Sequence, residues 1–419
     1  MEKNNIYVQI ASYRDPELIP TIKDCLDKAK YPNNLTFGIC NQYHEEDNWN
    51  LDEYRDNPAF TIMDVPWNES MGLCWARSEI QKMWNGEKYT LQLDSHHRFI
   101  QDWDVELIKM MNDVDSEKPI ITAYAGQYDP TTNKLLNEDP YKMVGKQFTA
   151  GGTILFFPEG IDNYKGLIKP IPARFVSGHF YFTLGIHTQE YKYDPQLYFA
   201  GDEISLSIRS WTLGYDIFHP HKIVIYHEYT REGRVKHWDD FTKQKGVEKT
   251  WYDMDELSKK RLRHMLQEED NGTDIGEYGL GNVRSHREYE DYAGIDFANR
   301  VLHEKTLKGF LPPVITDPND VEWRERKQKM INLTIDWTDK WDAIKSQTSC
   351  QCKLDFIYLG IKDKNDKEIF RLDIVNQQQI DGEIKNQPVN FMSFEDAYKV
   401  VMWPHKKDGD WLESVEWVL

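Results

Sequence analysis

The stretch up to Asp94 alternates short apolar runs with amphipathic ones, and this alternation limits the fold more than any other feature of the chain. Ile6-Tyr7-Val8-Gln9-Ile10-Ala11 reads as a strand that runs into the polar turn Ser12-Tyr13-Arg14-Asp15-Pro16. A helix is expected from Glu17, because Leu18, Ile22, Cys25, Leu26 and Ala29 recur on one side at helical spacing. Further strands are expected at residues 35–40, after the turn Pro32-Asn33-Asn34, and at residues 60–65. Residues 72–84 read as helix, and Tyr89-Thr90-Leu91-Gln92-Leu93 as a strand ending in Asp94. Strand, helix, strand, repeated, predicts an α/β fold with a mainly parallel sheet. Ligands of such sheets sit at the carboxyl ends of the strands. Ser12 to Asp15 and Asp94 to Arg98 are therefore the first places to look for a site.

After a second α/β stretch, the pattern predicts a strand at residues 222–226, a charged helix over 247–268, and a long Gly-, Tyr- and Arg-rich loop with a short helix over 271–294. Pro312-Pro313 and Asp317-Pro318-Asn319 mark a boundary. Beyond it, residues 333–337, 353–359, 368–375 and 414–419 carry β-type residues between polar turns. The expected organisation is an α/β domain over residues 1–315 and a small β-rich accessory domain over 320–419. Trp337, Trp341, Trp403, Trp411 and Trp417 are expected to build the core of the latter rather than a carbohydrate-binding face.

Charge narrows the ligands. The 419 residues include 51 basic and 70 acidic ones, a net charge of −19, and such a field repels nucleic acid and anionic membranes. A phosphorylated small molecule could bind only where a local cation, such as a metal, offsets that field. The 14 Trp, 23 Tyr and 18 Phe exceed what a core of this size needs and leave rings to line a ligand surface. Met1 to Asn5 is polar and precedes only a short apolar segment, so neither a signal peptide nor an integral membrane segment is expected. Cys25, Cys40, Cys74, Cys350 and Cys352 are odd in number and lack paired CxxC spacing, which fits reduced thiols in the cytoplasm. The oligomeric state is not legible.

The chemistry concentrates in Gln92-Leu93-Asp94-Ser95-His96-His97-Arg98-Phe99. At a strand end Asp94 and His96 can point the same way, and an Asp oxygen with a His nitrogen can bind one divalent ion. By itself the pattern fits a capping Asp beside a surface histidine equally well. Ser177-Gly178 then precedes the aromatic run His179-Phe180-Tyr181-Phe182, as where backbone must approach a bulky ligand. Asp202 and Glu203 open the amphipathic helix that continues to Trp211; they either cap it or hold sugar hydroxyls and face an acceptor. His227, after the expected strand, could complete a metal shell.

In that order the motifs resemble the GT-A glycosyltransferases, in particular the retaining polypeptide N-acetylgalactosaminyltransferases, with their DSH, GG, WGGEN–LEISFRVW and lone metal-binding His. This chain has Asp94-Ser95-His96, Ser177-Gly178, Phe199-Ala200-Gly201-Asp202-Glu203 and Leu206-Ser207-Ile208-Arg209-Ser210-Trp211, and counting from the shared Trp the metal His falls at His227. With Tyr278-Gly279-Leu280-Gly281, the segment from Gln92 to Phe99 resembles still more closely the cytoplasmic N-acetylglucosaminyltransferases that modify hydroxyproline on a polypeptide. The resemblance covers about residues 5 to 310.

It implies a GT-A domain, a Rossmann-like fold for nucleotide-diphospho-sugars, and Mn²⁺ or Mg²⁺ held by Asp94, His96 and His227 against the diphosphate of a UDP-sugar. Ser12, Tyr13, Arg14 and Asp15 would lie near uracil and ribose. Arg77 matches a nucleotide-contacting Arg of the family, while Ser95, Ser177 and Gly178 fall in its donor-binding motifs. Asp202 aligns with the Glu of GGEN and Glu203 with its Asn, so the carboxylate set differs. The family's Arg three residues after the metal His is Thr230 here, with Arg231 one step later as a candidate phosphate contact. The activity implied is retaining transfer of a sugar, N-acetylglucosamine above others, from a UDP-sugar to a hydroxyl of a polypeptide or glycan, with Asp202 and Glu203 as catalytic candidates. The competing reading is a sugar- or protein-binding module on a GT-A scaffold that no longer catalyses. A zinc hydrolase using His219, His221 and His227 lacks the second His of HExxH.

Overall fold

A computed structural model describes residues 4–149, 151–230, 233–325, 329–346, 354–407 and 411–419. Arg231, Cys350 and Cys352 lie outside the described residues. The chain divides into one unit of residues 1–147 with 152–321 and a second of residues 148–151 with 322–419.

The first unit is built on an eight-stranded sheet. Strands Phe60–Pro66, Leu35–Tyr43, Ile6–Tyr13 and Tyr89–Asp94 lie side by side and parallel. Phe180–Leu184 continues the sheet antiparallel to both neighbours, followed by Pro119–Thr122, its parallel partner Asp216–His219, and the edge pair Ile171–Pro172. Both faces of the central strands are covered: Val8, Ile10, Leu91 and Leu93 are fully buried on one, and Tyr7, Gln9, Thr90 and Gln92 are buried on the other. Helix Leu18–Lys28 buries Leu18, Ile22 and Cys25 as its spacing demands, and the indole of Trp103 donates to the carbonyl of Cys25 at 2.9 Å. Ile10 pairs with Leu93 and Ala11 with Asp94. The turn after the first strand and the segment after Asp94 therefore leave the sheet next to each other.

A second sheet takes over where the first ends. His97–Phe99 pairs antiparallel with Ile225–His227, which runs parallel to Gly126–Asp129. Two expectations change here. The strand read over 222–226 is Ile225–His227, so His227 is its last residue rather than a residue beyond it, and it sits directly opposite His97. Asp94 and His96 also do not share one strand: the chain passes from the first sheet to the second between them. The helix expected over 247–268 runs Trp251–Met265, with Thr250 accepting from the Asp253 N–H as its cap. The loop over 271–294 contains helix His286–Ala293.

In the second unit, Lys329–Asp336 pairs with Asn386–Ser393, and Glu368–Ile374, Leu354–Lys362, Lys399–Lys406 and Val415–Val418 form a four-stranded antiparallel sheet. Asn386–Ser393 and Lys399–Lys406 escape a sequence reading because each contains a proline, Pro388 and Pro404. Pro404 is accommodated because the partner strand Val415–Val418 reaches only from Lys399 to Met402. Trp337 and Trp341 are buried in the core and Trp417 packs against it, but Trp403 and Trp411 are exposed, against the expectation of a wholly internal set.

Ile10→Ala removes fully buried volume from the first unit and is expected to cost about 2–5 kcal/mol, whereas Lys23→Ala, on an exposed side chain, stays within about 0.5 kcal/mol. Thermal unfolding of the full chain checks the contrast.

Candidate metal and donor-binding site

Asp94, His96 and His227 each offer one ligand atom, and the three atoms lie within 4.8 Å of one another. The Asp94 Oδ2 is 3.8 Å from His96 Nε2 and 3.5 Å from His227 Nε2. Local structure explains the convergence. Asp94 closes a strand of the large sheet, and the ladder pairing of His97 with His227 carries the last residue of a distant strand to the same point. His227 is buried, and neither of its ring nitrogens has a hydrogen-bond partner. A buried imidazole without partners is costly unless something else takes its lone pair. Two imidazoles and a carboxylate can hold a divalent cation, so the donor set fits a metal of the kind that the motifs imply. Burial, followed by the neighbouring His179, pushes the pKa of His227 well below the usual histidine range, so the ring stays neutral and able to ligate.

Behind the triad stands a second carboxylate. Asp15 Oδ2 lies 2.7 Å from His96 Nδ1 and accepts from Ser95 Oγ at 2.7 Å and from Arg234 Nη1 at 3.0 Å, and Arg234 Nη1 also contacts His96 Nδ1. With Nδ1 held among these partners, Nε2 is the His96 nitrogen that faces Asp94 and is placed to ligate. Burial alone would raise the Asp15 pKa, but His96 and Arg234 overcome it and hold the carboxyl well below its ordinary range. Arg234 also donates to Glu228 at 2.6 Å. Its role escapes sequence reading because its partners are Asp15, far upstream, and a loop glutamate.

Arg77 is almost fully buried and joins the triad to the helix Asp202–Thr212. Its guanidinium donates to Asp94 Oδ1 at 2.9 Å, to the Gly178 carbonyl at 2.6 Å and to Asp202. Gly178 has no room for a side chain, since a Cβ there would meet Asp202 Oδ2 at 2.7 Å. Asp202 is thus enclosed by Arg77 and the thiol of Cys74, and burial raises its pKa despite Arg77. Glu203 differs: its carboxylate accepts from the Gly178 N–H at 3.1 Å and from Tyr124 Oη at 2.9 Å, and burial pushes its pKa up to about 7. The Tyr278 to Gly281 motif braces the same helix. The Gly279 carbonyl accepts from Arg209 Nε, and a Cβ at Gly281 would lie 2.5 Å from the Thr212 backbone.

A cavity of about 160 Å³ opens onto the triad, walled by Tyr13, Tyr198, Phe199, His237 and Trp238. Tyr13, Asp15, Asp94, Ser95, His96 and His227 line it; Ser12, Arg14, Arg77, Ser177, Gly178, Asp202 and Glu203 do not. Ser12 is buried beneath the turn, and its carbonyl accepts from Gln42. Arg14 turns to Asp240 and Asp47, while Ser177 Oγ pairs with His179 Nδ1 at 2.9 Å. His219 takes no part: its Nδ1 donates to the Thr122 carbonyl and its Nε2 accepts from the Met143 N–H. His179, Tyr124 and Asp240 complete the surroundings, and no sequence spacing marked their roles.

The family model for glycosyltransferase (GlcNAc) matches residues 5–59 and 51–299, most of the chain. The chain belongs to the GlcNAc glycosyltransferase family. The mixed α/β sheet followed by β-rich strands agrees with the α/β class expected from the sequence. No curated protein matches the sequence significantly. Among solved structures, GalNAc-T7 with UDP, GalNAc and Mn²⁺ is similar at 14% identity and a TM-score of 0.48, over 68% of this chain and 54% of that one. S. aureus TarS is similar at 9% identity and a TM-score of 0.38, over 98% of this chain and 77% of that one. TarS 1-349 in complex with UDP-GlcNAc is similar at 10% identity and a TM-score of 0.35, over 56% and 60%. This chain thus spans about half the length of the GalNAc-T7 chain. At such scores these likenesses carry no argument about the reaction.

Asp15→Asn keeps the shape but removes the charge behind His96, and it is expected to weaken Mn²⁺ binding by about 10- to 100-fold. Calorimetric Mn²⁺ titration, with the metal-free melting temperature as the reference for folding, checks it. Arg77→Met leaves Asp94 and Asp202 buried without their cation and is expected to cost about 3–5 kcal/mol of stability, read from the same metal-free melt.

Proposed function

We propose that this glycosyltransferase transfers N-acetylglucosamine from UDP-GlcNAc, with retention at the anomeric carbon, to a hydroxyl on a polypeptide or glycan, using a divalent cation held by Asp94, His96 and His227. The observation that carries the reading is the convergence of Asp94, His96 and the buried His227, whose three ligand atoms lie within 4.8 Å of one another. A scaffold that merely bound sugar or protein would have no use for that arrangement. When bound, the cation would offset the charge of the departing diphosphate.

The chain's own residues supply the rest. Asp15 stands against His96 Nδ1 and sets the ring's orientation, and Arg77 holds Asp94 in place. Tyr13, Tyr198, Phe199 and Trp238 offer ring faces for uracil and sugar. The space they enclose is smaller than the ~300 Å³ at which ligand pockets begin, so it has to widen to admit a UDP-sugar. Between the two carboxylates, Glu203 is the one to stabilise positive charge at the anomeric carbon, because Asp202 is already neutralised by Arg77. Residues 1–315 act as the catalytic domain, and residues 320–419 help orient the acceptor. The buried free thiols Cys25, Cys40 and Cys74 accord with a reducing compartment, the cytoplasm. Among the described residues, no helix is long and apolar enough to cross a membrane.

A mass-spectrometric screen of UDP-GlcNAc, UDP-GalNAc, UDP-Glc and UDP-Gal with Mn²⁺ is expected to show cleavage of UDP-GlcNAc first. Cleavage should be abolished by EDTA and by Asp94→Ala, His96→Ala or His227→Ala, and activity indifferent to all four treatments would refute the assignment. Because the Glu203 pKa is raised to about 7, its carboxylate is lost as pH falls through 7. The rate should fall with it, and Glu203→Gln should be slow and flat across that range.

A further inference from the structure

Each oxygen of the Glu203 carboxylate has one donor, and the two donors come from elements far apart in the chain. Gly178, two residues before strand Phe180–Leu184, gives its N–H to Oε1 at 3.1 Å. Tyr124, two residues after strand Pro119–Thr122, gives its hydroxyl proton to Oε2 at 2.9 Å. Neither donor is charged. Tyr124 stays protonated around neutral pH, because burial, followed by the charge of Glu203, pushes its pKa far above that of a free phenol. It does not line the donor cavity, and its only polar side-chain atom is bonded to Glu203.

His179 ties the two donors together. Burial pushes its pKa down to about 4, so the ring is neutral at pH 7. Its Nε2 accepts at 3.2 Å from the N–H of Ala125, the residue after Tyr124, and its Nδ1 lies 2.9 Å from the Oγ of Ser177, the residue before Gly178. The Ser177 N–H in turn donates to Thr122 Oγ1 at 2.9 Å, and Tyr229 Oη donates to the Ala125 carbonyl at 2.9 Å. The rings of His179 and Tyr124 are 5.2 Å apart. Residues 122–125 and 177–178 are thus fastened to each other, and the Glu203 carboxylate spans the gap between their two donors. The other charged or titratable groups around it are Arg77 and Asp202, which pair with each other, and Tyr229. Removing the Tyr124 hydroxyl takes a donor from Glu203 and leaves Arg77 its bonds to Asp94, Asp202 and the Gly178 carbonyl.

We infer that Tyr124 is a positioning residue for sugar transfer: its hydroxyl and the Gly178 N–H together hold the Glu203 carboxylate in the orientation from which it acts. The inference rests on the glycosyl-transfer reading above and on the part that reading gives Glu203. A donor that bonds the ionised carboxylate favours it over the acid, so loss of the Tyr124 hydroxyl raises the Glu203 pKa, and the carboxylate is then lost at a higher pH as the pH falls. The test follows UDP-GlcNAc cleavage by the full chain with Mn²⁺ as a function of pH. The acid-side midpoint of Tyr124→Phe should stand about one to two pH units above that of the unaltered chain, the size of one hydrogen bond to a charged group. Mn²⁺-dependent UDP binding, read by calorimetry, should be unchanged. In the Glu203→Gln background there is no carboxylate to titrate, and Tyr124→Phe should shift no midpoint. Should Tyr124→Phe fail to fold, Tyr124→fluorotyrosine, with the fluorine beside the hydroxyl, takes its place; this phenol is the stronger donor, and the midpoint should move down. A midpoint that stays or moves against these directions, or that moves equally in the Glu203→Gln background, overturns the inference and leaves the transferase reading intact. A rate lowered equally at every pH, or a loss of UDP binding, does the same. If the unaltered chain cleaves UDP-GlcNAc at a rate independent of pH, the part given to Glu203 falls and the inference with it, but not transfer itself. No cleavage at all overturns the transferase reading.

Discussion

One buried guanidinium ties the site to the fold. Arg77 issues from the helix Leu73–Gln81, and its donors reach Asp94 at the end of one strand, the Gly178 carbonyl before another, and Asp202 at the start of a helix. A charge so deeply buried persists only when opposite charge matches it, as Asp94 and Asp202 do here. Arg77 therefore locks three elements that are distant in sequence into one register. The metal triad depends on it because Asp94 would otherwise be free to turn away from His96 and His227. The restriction of Gly178 to a residue without a side chain follows from the same contact.

Around that lock the carboxylates divide their work by environment. Asp15 is held ionised by His96 and Arg234 and acts through the imidazole. Asp202 is neutralised in place by Arg77, and Glu203, bonded only to a backbone N–H and a phenol, has its proton affinity raised by burial. The acidic excess of the chain thus has a local purpose at this site: part of it gathers cations, first the ion that the triad is shaped to hold and then the arginines that orient it.

Much of the first unit was legible because its strands are short, apolar and separated by turn residues, and because the polar residues from Ser12 and from Asp94 announced where a site would lie, although the first strand runs on to Tyr13. The triad was legible as residue types in order, Asp94-Ser95-His96 and then a lone His227. What brings them together was not, since the pairing of His97 with His227 is a long-range register that no local spacing encodes. The same holds for Arg77, read as a nucleotide contact but enclosed by carboxylates, and for Arg234, whose partner Asp15 lies 219 residues away. Two strands of the second unit were hidden by Pro388 and Pro404, residues that argue against a strand unless the neighbouring strand is absent at that point.

The central claim is that the chain binds a nucleoside diphosphate only through a cation held by Asp94, His96 and His227. Isothermal titration of UDP into metal-free protein, and again after saturation with Mn²⁺, tests it most directly. The account predicts binding with the metal and none without it. Equal binding in both conditions, or no binding in either at millimolar UDP, would contradict it.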